Sequence, residues 1–94
     1  MKEIIFSSDF QRSKKKYLKK NPNNENILEE VITTFKTNPK RLEYKSIKCK
    51  KDKNRYSIRI FNTSDRILLS SLSNSYVFRC ICNHKEYDRR NRGC

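Results

Sequence analysis

Ninety-four residues, 34% of them apolar, carry 23 basic against 10 acidic side chains for a formal charge of +13. That is material for one domain over residues 1–94 with a modest core, since a chain of this size buries about 60–65% of its unfolded surface. The charge calls for an acidic partner, and the sequence argues against that partner being a membrane: no apolar run approaches the ~20 residues of a spanning helix, and Met1 to Phe10 lacks the apolar length and cleavage site of a signal peptide. A cytoplasmic protein is expected. Weak burial and self-repulsion alone would favour disorder, but clear apolar periodicity opposes it.

Lys2 to Phe6 reads as a short strand. Ser7, Ser8 and Asp9 offer N-cap chemistry for a helix from about Phe10 to Lys20, whose surface is mostly lysine; Lys14, Lys15, Lys16, Lys19 and Lys20 are expected to form a solvated cationic face. Asn21-Pro22-Asn23-Asn24 breaks the chain, and Asn24 is expected to cap a second helix. Ile27, Leu28, Val31, Ile32 and Phe35 recur there at helical spacing until Asn38-Pro39 ends it. From Tyr44 the period changes to two, through KSIKCKK, RYSIRIF, RILLSSL and YVFRCIC. The expected architecture is α+β: a short N-terminal strand, a two-helix antiparallel hairpin packed on an antiparallel four-stranded meander, and a short C-terminal tail. Strict alternation in the last strand sets Phe78, Cys80 and Cys82 on one face and Val77, Arg79 and Ile81 on the other.

The four cysteines, Cys49, Cys80, Cys82 and Cys94, have spacing that suits neither a disulfide framework nor a metal site. Cys80-x-Cys82-x-His84 lacks the paired ligand spacing of zinc sites, so no metal is expected, and Cys80 and Cys82 read as small buried hydrophobes. The last strand instead delivers the chain's one histidine into a cluster, His84, Lys85, Glu86, Tyr87, Asp88, Arg89 and Arg90, within about two turns. A group that titrates near neutral pH, a phenol and several cations suit phosphate chemistry.

The order strand, helix pair, antiparallel strands and His-Tyr tail resembles the RelE/ParE superfamily of toxins from bacterial toxin–antitoxin pairs. The residues that carry the resemblance run along nearly the whole chain: Asn38-Pro39, Leu42-Glu43-Tyr44 leading to Ile47-Lys48, Tyr56 to Ile60, Asp65 to Leu69, and Asn83 to Asp88. The His-Lys-Glu-Tyr-Asp tail is most similar to the HigB branch, and a histidine-containing tail also occurs in the YoeB and YafQ branches. The resemblance implies a toxin of a type II pair: a messenger-RNA endonuclease that needs no metal or other cofactor. It implies action on mRNA on the ribosome, with 16S rRNA contacts, and silencing by a cognate acidic antitoxin protein; the free toxin is expected to be monomeric. In one respect the chain departs from the pattern. Many relatives have glycine after the Ile-Lys pair, where this chain has Cys49 and the basic loop Lys50 to Arg55, so no relative's catalytic residue is carried onto that loop.

Metal-free RNA cleavage needs a base for the 2′-hydroxyl proton, cations for the crowded phosphorane and an acid for the leaving oxygen. His84 is the expected proton-transfer residue. Arg66 matches the superfamily's most recurrent catalytic arginine and is expected on the scissile phosphate, where a planar fork suits two oxygens. Tyr87 is expected to protonate the leaving group or to stack on a base. Lys48, Lys50, Lys51, Lys53, Arg59, Arg79 and Lys85 are expected to bind RNA phosphates, with Arg79 on the open sheet face near His84. Blander roles exist for each: a structural histidine, Arg66 as a strand-edge cation, Tyr87 as packing for the tail. Two other functions fit the composition, a ParE-like toxin that inhibits gyrase without cleaving RNA, and a plain basic nucleic-acid-binding module.

Overall fold

The chain enters along a four-residue strand, β1 (Glu3–Phe6), and Ser7 turns it into helix α1 (Ser8–Lys20) by accepting the Phe10 amide on its hydroxyl at 3.1 Å. That bond satisfies one of the orphan amides of the first turn, and starts the helix two residues before Phe10. The structure, a computed structural model, describes residues 3–47, 49, 51–61 and 63–92. A 3₁₀ turn at Pro22–Asn24 leads into α2 (Glu25–Thr37). Asn24 does not cap α2 with its side chain as expected; its amide instead donates to the Tyr17 hydroxyl at 3.0 Å and ties the turn back to α1. The anticipated helical hairpin is thus two 13-residue helices joined through a 3₁₀ turn, and each lays its apolar stripe into one common core: Phe10 and Tyr17 from α1, Leu28, Val31 and Phe35 from α2.

Four strands follow: β2 (Tyr44–Ser46), β3 (Arg55–Arg59), β4 (Arg66–Ser71) and β5 (Ser75–Cys82). They pair antiparallel in sequence order, as a meander. Two expectations need correction. The sheet has five strands in the order β1-β5-β4-β3-β2 and is mixed, because β1 pairs parallel with β5 from Glu3 opposite Ser75 to Phe6 opposite Phe78. A parallel neighbour requires a long crossover, and the two helices and the meander supply one. The C-terminal tail is also a helix, α3 (His84–Arg92), started by the Asn83 side chain, which accepts the Glu86 amide at 2.8 Å. Among the described residues no helix is long and apolar enough to cross a membrane.

Both helices bury their stripes against one sheet face, with Ile58, Ile60, Ile67, Leu69, Phe78 and Ile81 beneath them. Phe78 stands at the centre, edge-on to Phe6, Phe10 and Phe35 at centroid distances of 5.4, 5.5 and 5.5 Å. It joins both helices and β1, and it is fully buried. Phe78→Ala should therefore cost about 3–5 kcal/mol. A urea midpoint that moved little would show that the core closes elsewhere. Nearby, burial first, then the neighbouring phenols of Tyr76 and Tyr56, push the Tyr44 phenol up to about 12. Tyr44 stays neutral and serves packing.

The strict alternation expected for β5 fails at one residue. Leu68 faces Cys80 and Leu69 faces Phe78, so Arg79 is the extra residue of a β-bulge. Because side chains alternate with period two, one inserted residue exchanges the faces beyond it. Phe78 and Ile81 consequently point to the helices, whereas Cys80 and Cys82 join Leu68, Ile47 and Tyr87 in a second small cluster on the opposite face. Cys80 and Cys82 are buried thiols with sulfurs 2.7 Å apart. Cys49, also buried, is disulfide-bonded, which corrects the reading that the cysteine spacing frames no disulfide.

Candidate nucleic-acid interface

The sheet face turned away from α1 and α2 carries a set of arginines. Alternation along the strands places Arg55, Ser57 and Arg59 from β3 there, with Arg66, Leu68 and Ser70 from β4 and the bulge residue Arg79 from β5. At one end Arg59 and Arg66 are direct cross-strand neighbours, and Arg66 has Cys82 on its other side. Two like charges facing each other across a ladder repel, so an anion between them stabilises the pair. Arg59 is held by the Thr63 carbonyl at 2.8 Å and by Glu43 at 3.3 Å.

Arg66 is the better-prepared of the two. Its guanidinium carbon lies 5.1 Å from the centre of the Tyr87 ring, within cation–π range, and Tyr87 itself rests on the Leu68, Cys80 and Cys82 cluster. Among the described residues the Arg66 Nε is buried and has no hydrogen-bond partner. A buried donor without an acceptor is costly, and a phosphate oxygen is one acceptor that would satisfy it.

α3 carries the remaining candidates. His84 opens this helix with its side chain 65% exposed, and its Nε2 lies 3.4 Å from the Asp88 carboxylate one turn on. Tyr87 is three residues from His84 on the same helix, yet the polar partner of His84 is Asp88 and not Arg66 or Tyr87. Lys85 is exposed. Arg66, Tyr87 and Arg59 are therefore brought together, with His84 beside them on α3.

Arg79 lies elsewhere, which corrects its expected position near His84. Its Nε donates to the Ser70 hydroxyl at 3.0 Å, and Ser70 is four residues, about 13 Å, along β4 from Arg66. Ser70 in turn donates to Asp52 at 2.6 Å, which docks the β2–β3 loop onto the sheet and leaves Lys51 and Lys53 exposed on that loop. Lys48 and Lys50 lie outside the described residues. Burial acts to raise the Asp52 carboxyl, but the Ser70 hydroxyl, the Asn54 amide, Arg55 and Arg79 together hold it below the usual range. A depressed carboxyl contributes stability above its unfolded pKa of about 4, and that contribution is lost as pH falls through the lower folded value. Asp52→Asn should remove this part of the acid dependence, seen as a shallower fall of melting temperature below pH 4; an unchanged acid limb would count against the network.

The sequence reading gave no role to Asp52 or Ser70, and it named Asp88 in the tail cluster without pairing it to His84. Asp88 had a usable signal, the i, i+4 spacing from His84. Ser70 had none, because a serine inside an apolar strand looks the same whether or not a loop aspartate comes to meet it.

Comparison with family models finds no match, and no curated protein matches. Solved structures do. YafQ from E. coli superposes with a TM-score of 0.72 over 93% of this chain and 98% of YafQ, at 13% identity. A copper-bound mutant toxin from Helicobacter pylori gives 0.69 over 92% and 98%, at 18% identity. The RelB-RelE antitoxin–toxin complex of Methanococcus jannaschii gives 0.55 over 90% and 96%, at 26% identity. The chain has the fold of the RelE superfamily of toxins. YafQ, one of the branches that the His-Tyr tail resembles, is among these RelE-type folds. Each match spans nearly the whole of both chains, so the RelE-type unit accounts for almost every element described above.

Proposed function

We propose that this chain is the toxin of a type II toxin–antitoxin pair and acts as a ribosome-dependent mRNA endonuclease. The observation that carries the reading is Arg66, a guanidinium held over the Tyr87 ring, beside a second arginine, with a buried donor that no acceptor among the described residues satisfies. In this reading Arg66 binds the scissile phosphate and Arg59 its neighbourhood. His84 takes the 2′-hydroxyl proton, while Asp88 orients the imidazole, and Tyr87 supports the leaving oxygen or stacks on a base. The side chains account for the chemistry without a metal or cofactor.

The RelE-type fold and the charge of +13 support the partners as well: mRNA on the ribosome, with 16S rRNA contacts, and a cognate acidic antitoxin that neutralises the arginine face. A second reading draws on the exposure of His84 and its pairing with Asp88 rather than with the arginines: a ParE-like toxin that inhibits gyrase and needs no proton-transfer residue. Primer extension on mRNA from expressing cells separates these. Codon-spaced breaks support the endonuclease, intact RNA with gyrase-linked DNA damage supports the second reading, and neither leaves a basic binding module.

A further inference from the structure

The bulge at Arg79 turns Cys80 and Cys82 onto the arginine face, where both are fully buried and their sulfurs stand 2.7 Å apart. Tyr87 packs on this pair, and Arg66, the cross-strand neighbour of Cys82, lies against the Tyr87 ring. We propose that Cys80 and Cys82 are an oxidation site, a dithiol that closes to a disulfide on reaction with hydrogen peroxide, and that closure unseats Tyr87 and weakens the Arg66 site. The inference rests on the reading of Arg66 as the residue that holds the RNA phosphate, and it names how that site is regulated.

The step needs only the two thiols and peroxide. The thiolate of Cys82 attacks a peroxide oxygen, the O–O bond breaks, and a sulfenic acid forms as hydroxide leaves. The Cys80 sulfur then attacks the sulfenic sulfur; the S–S bond forms, the S–O bond breaks, and both oxygens and both thiol protons end in water. Two electrons pass from the sulfur pair to peroxide. Cys82 is the attacking residue because it neighbours Arg66, whose buried Nε has no hydrogen-bond partner among the described residues, and a guanidinium beside a thiol stabilises the thiolate. Cys80 is the resolving residue, with its sulfur already at 2.7 Å against the roughly 2.05 Å of a disulfide. Burial by itself keeps thiols inert, so reaction waits on the cover. That cover is the half-buried Ile47 and Tyr87, and Tyr87 sits on a nine-residue helix whose other described residues join neither apolar cluster. Local opening of such a short helix lifts Tyr87 and admits peroxide.

Closure reaches the site because of where it happens. Two residues apart on an extended strand, Cα atoms are about 6.6 Å apart, near the upper end of what a disulfide spans, so bridging bends the end of β5. The next residue is Asn83. Its side chain accepts the Glu86 amide at 2.8 Å and its carbonyl accepts the Tyr87 amide at 2.9 Å, so the bend re-aims the first turn of α3. The seat of Tyr87 changes shape at the same time, and the ring leaves the Arg66 guanidinium. A bridge formed at the limit of its span is readily reduced, which makes the change reversible.

The test treats the full chain with hydrogen peroxide, alkylates the remaining thiols, and cuts with trypsin after Arg79 and Lys85, which releases residues 80–85 as one peptide holding both cysteines. The untreated chain should give this peptide doubly alkylated; after peroxide it should be two hydrogens lighter than the dithiol and carry no alkyl group. A doubly alkylated peptide after peroxide overturns the site, as does a sulfinic acid in place of the bridge. Affinity for a synthetic single-stranded oligoribonucleotide should fall about three- to tenfold on oxidation, the worth of a lost guanidinium–ring contact, and return with a dithiol reductant. A bridge that leaves this affinity unchanged overturns the switch. Cys80→Ala cannot bridge and keeps Cys49, so peroxide should leave its affinity unaltered; if that variant fails to fold, the peptide and the reversal by reductant decide alone. Cleavage is read separately by primer extension. Intact mRNA from the reduced chain, with a bridge that forms and lowers affinity, sinks the nuclease reading and leaves the switch standing, while codon-spaced breaks from a chain whose dithiol survives peroxide do the reverse.

Discussion

His84→Gln should leave ribosome binding within a few-fold and lower the rate of mRNA cleavage by roughly 10² to 10⁴, the usual worth of a general acid–base group. The separation is expected because the imidazole side chain is 65% exposed, so the fold and the arginine face survive its loss. Asp88→Asn should fall between the variant and the parent, since the amide still faces the ring but orients it less firmly than the carboxylate. Single-turnover cleavage on purified ribosomes, alongside pelleting of the complex, measures both quantities. Full activity in His84→Gln would make the histidine structural and move the chemistry onto arginines.

Arg66→Ala should damage binding and chemistry together. Its cation serves ground state and transition state alike, and loss of one preorganised donor costs about 10² to 10³ in rate. The Arg66→Lys variant should remain strongly impaired, because an ammonium neither forms a planar fork nor stacks on the Tyr87 ring as well. Stability should change by less than about 1 kcal/mol, as the change removes one of two arginines that face each other across the ladder. A lysine variant with parental cleavage rates would show that charge alone suffices at this position.

Arg66 and Tyr87 were legible as candidates because strand starts and a post-strand cluster are local features. Their contact is long-range: α3 must fold back so that Tyr87 packs on Leu68, Cys80 and Cys82 under the guanidinium. Arg79 shows the opposite case. Its residue type and its face were right, but the Ser70 hydroxyl that holds it, at the far end of β4 from Arg66, leaves no mark in a run such as YVFRCIC.

What the chain order determined by itself was local. Period-two and helical spacing place the elements, Ser7 caps α1, Asn38-Pro39 ends α2, and the excess of cations requires an acidic partner, because each depends on neighbouring residues or on composition alone. Only the tertiary structure decided the parallel pairing of β1 with β5, the bulge that exchanges the faces of Phe78 and Cys80, and the network in which Asp52 meets Ser70 and Arg79. Those depend on which residues, 18 positions apart in the case of Asp52 and Ser70, find each other once the core around Phe78 has closed, and that choice is made by packing and hydrogen-bond satisfaction across the sheet rather than by any local preference.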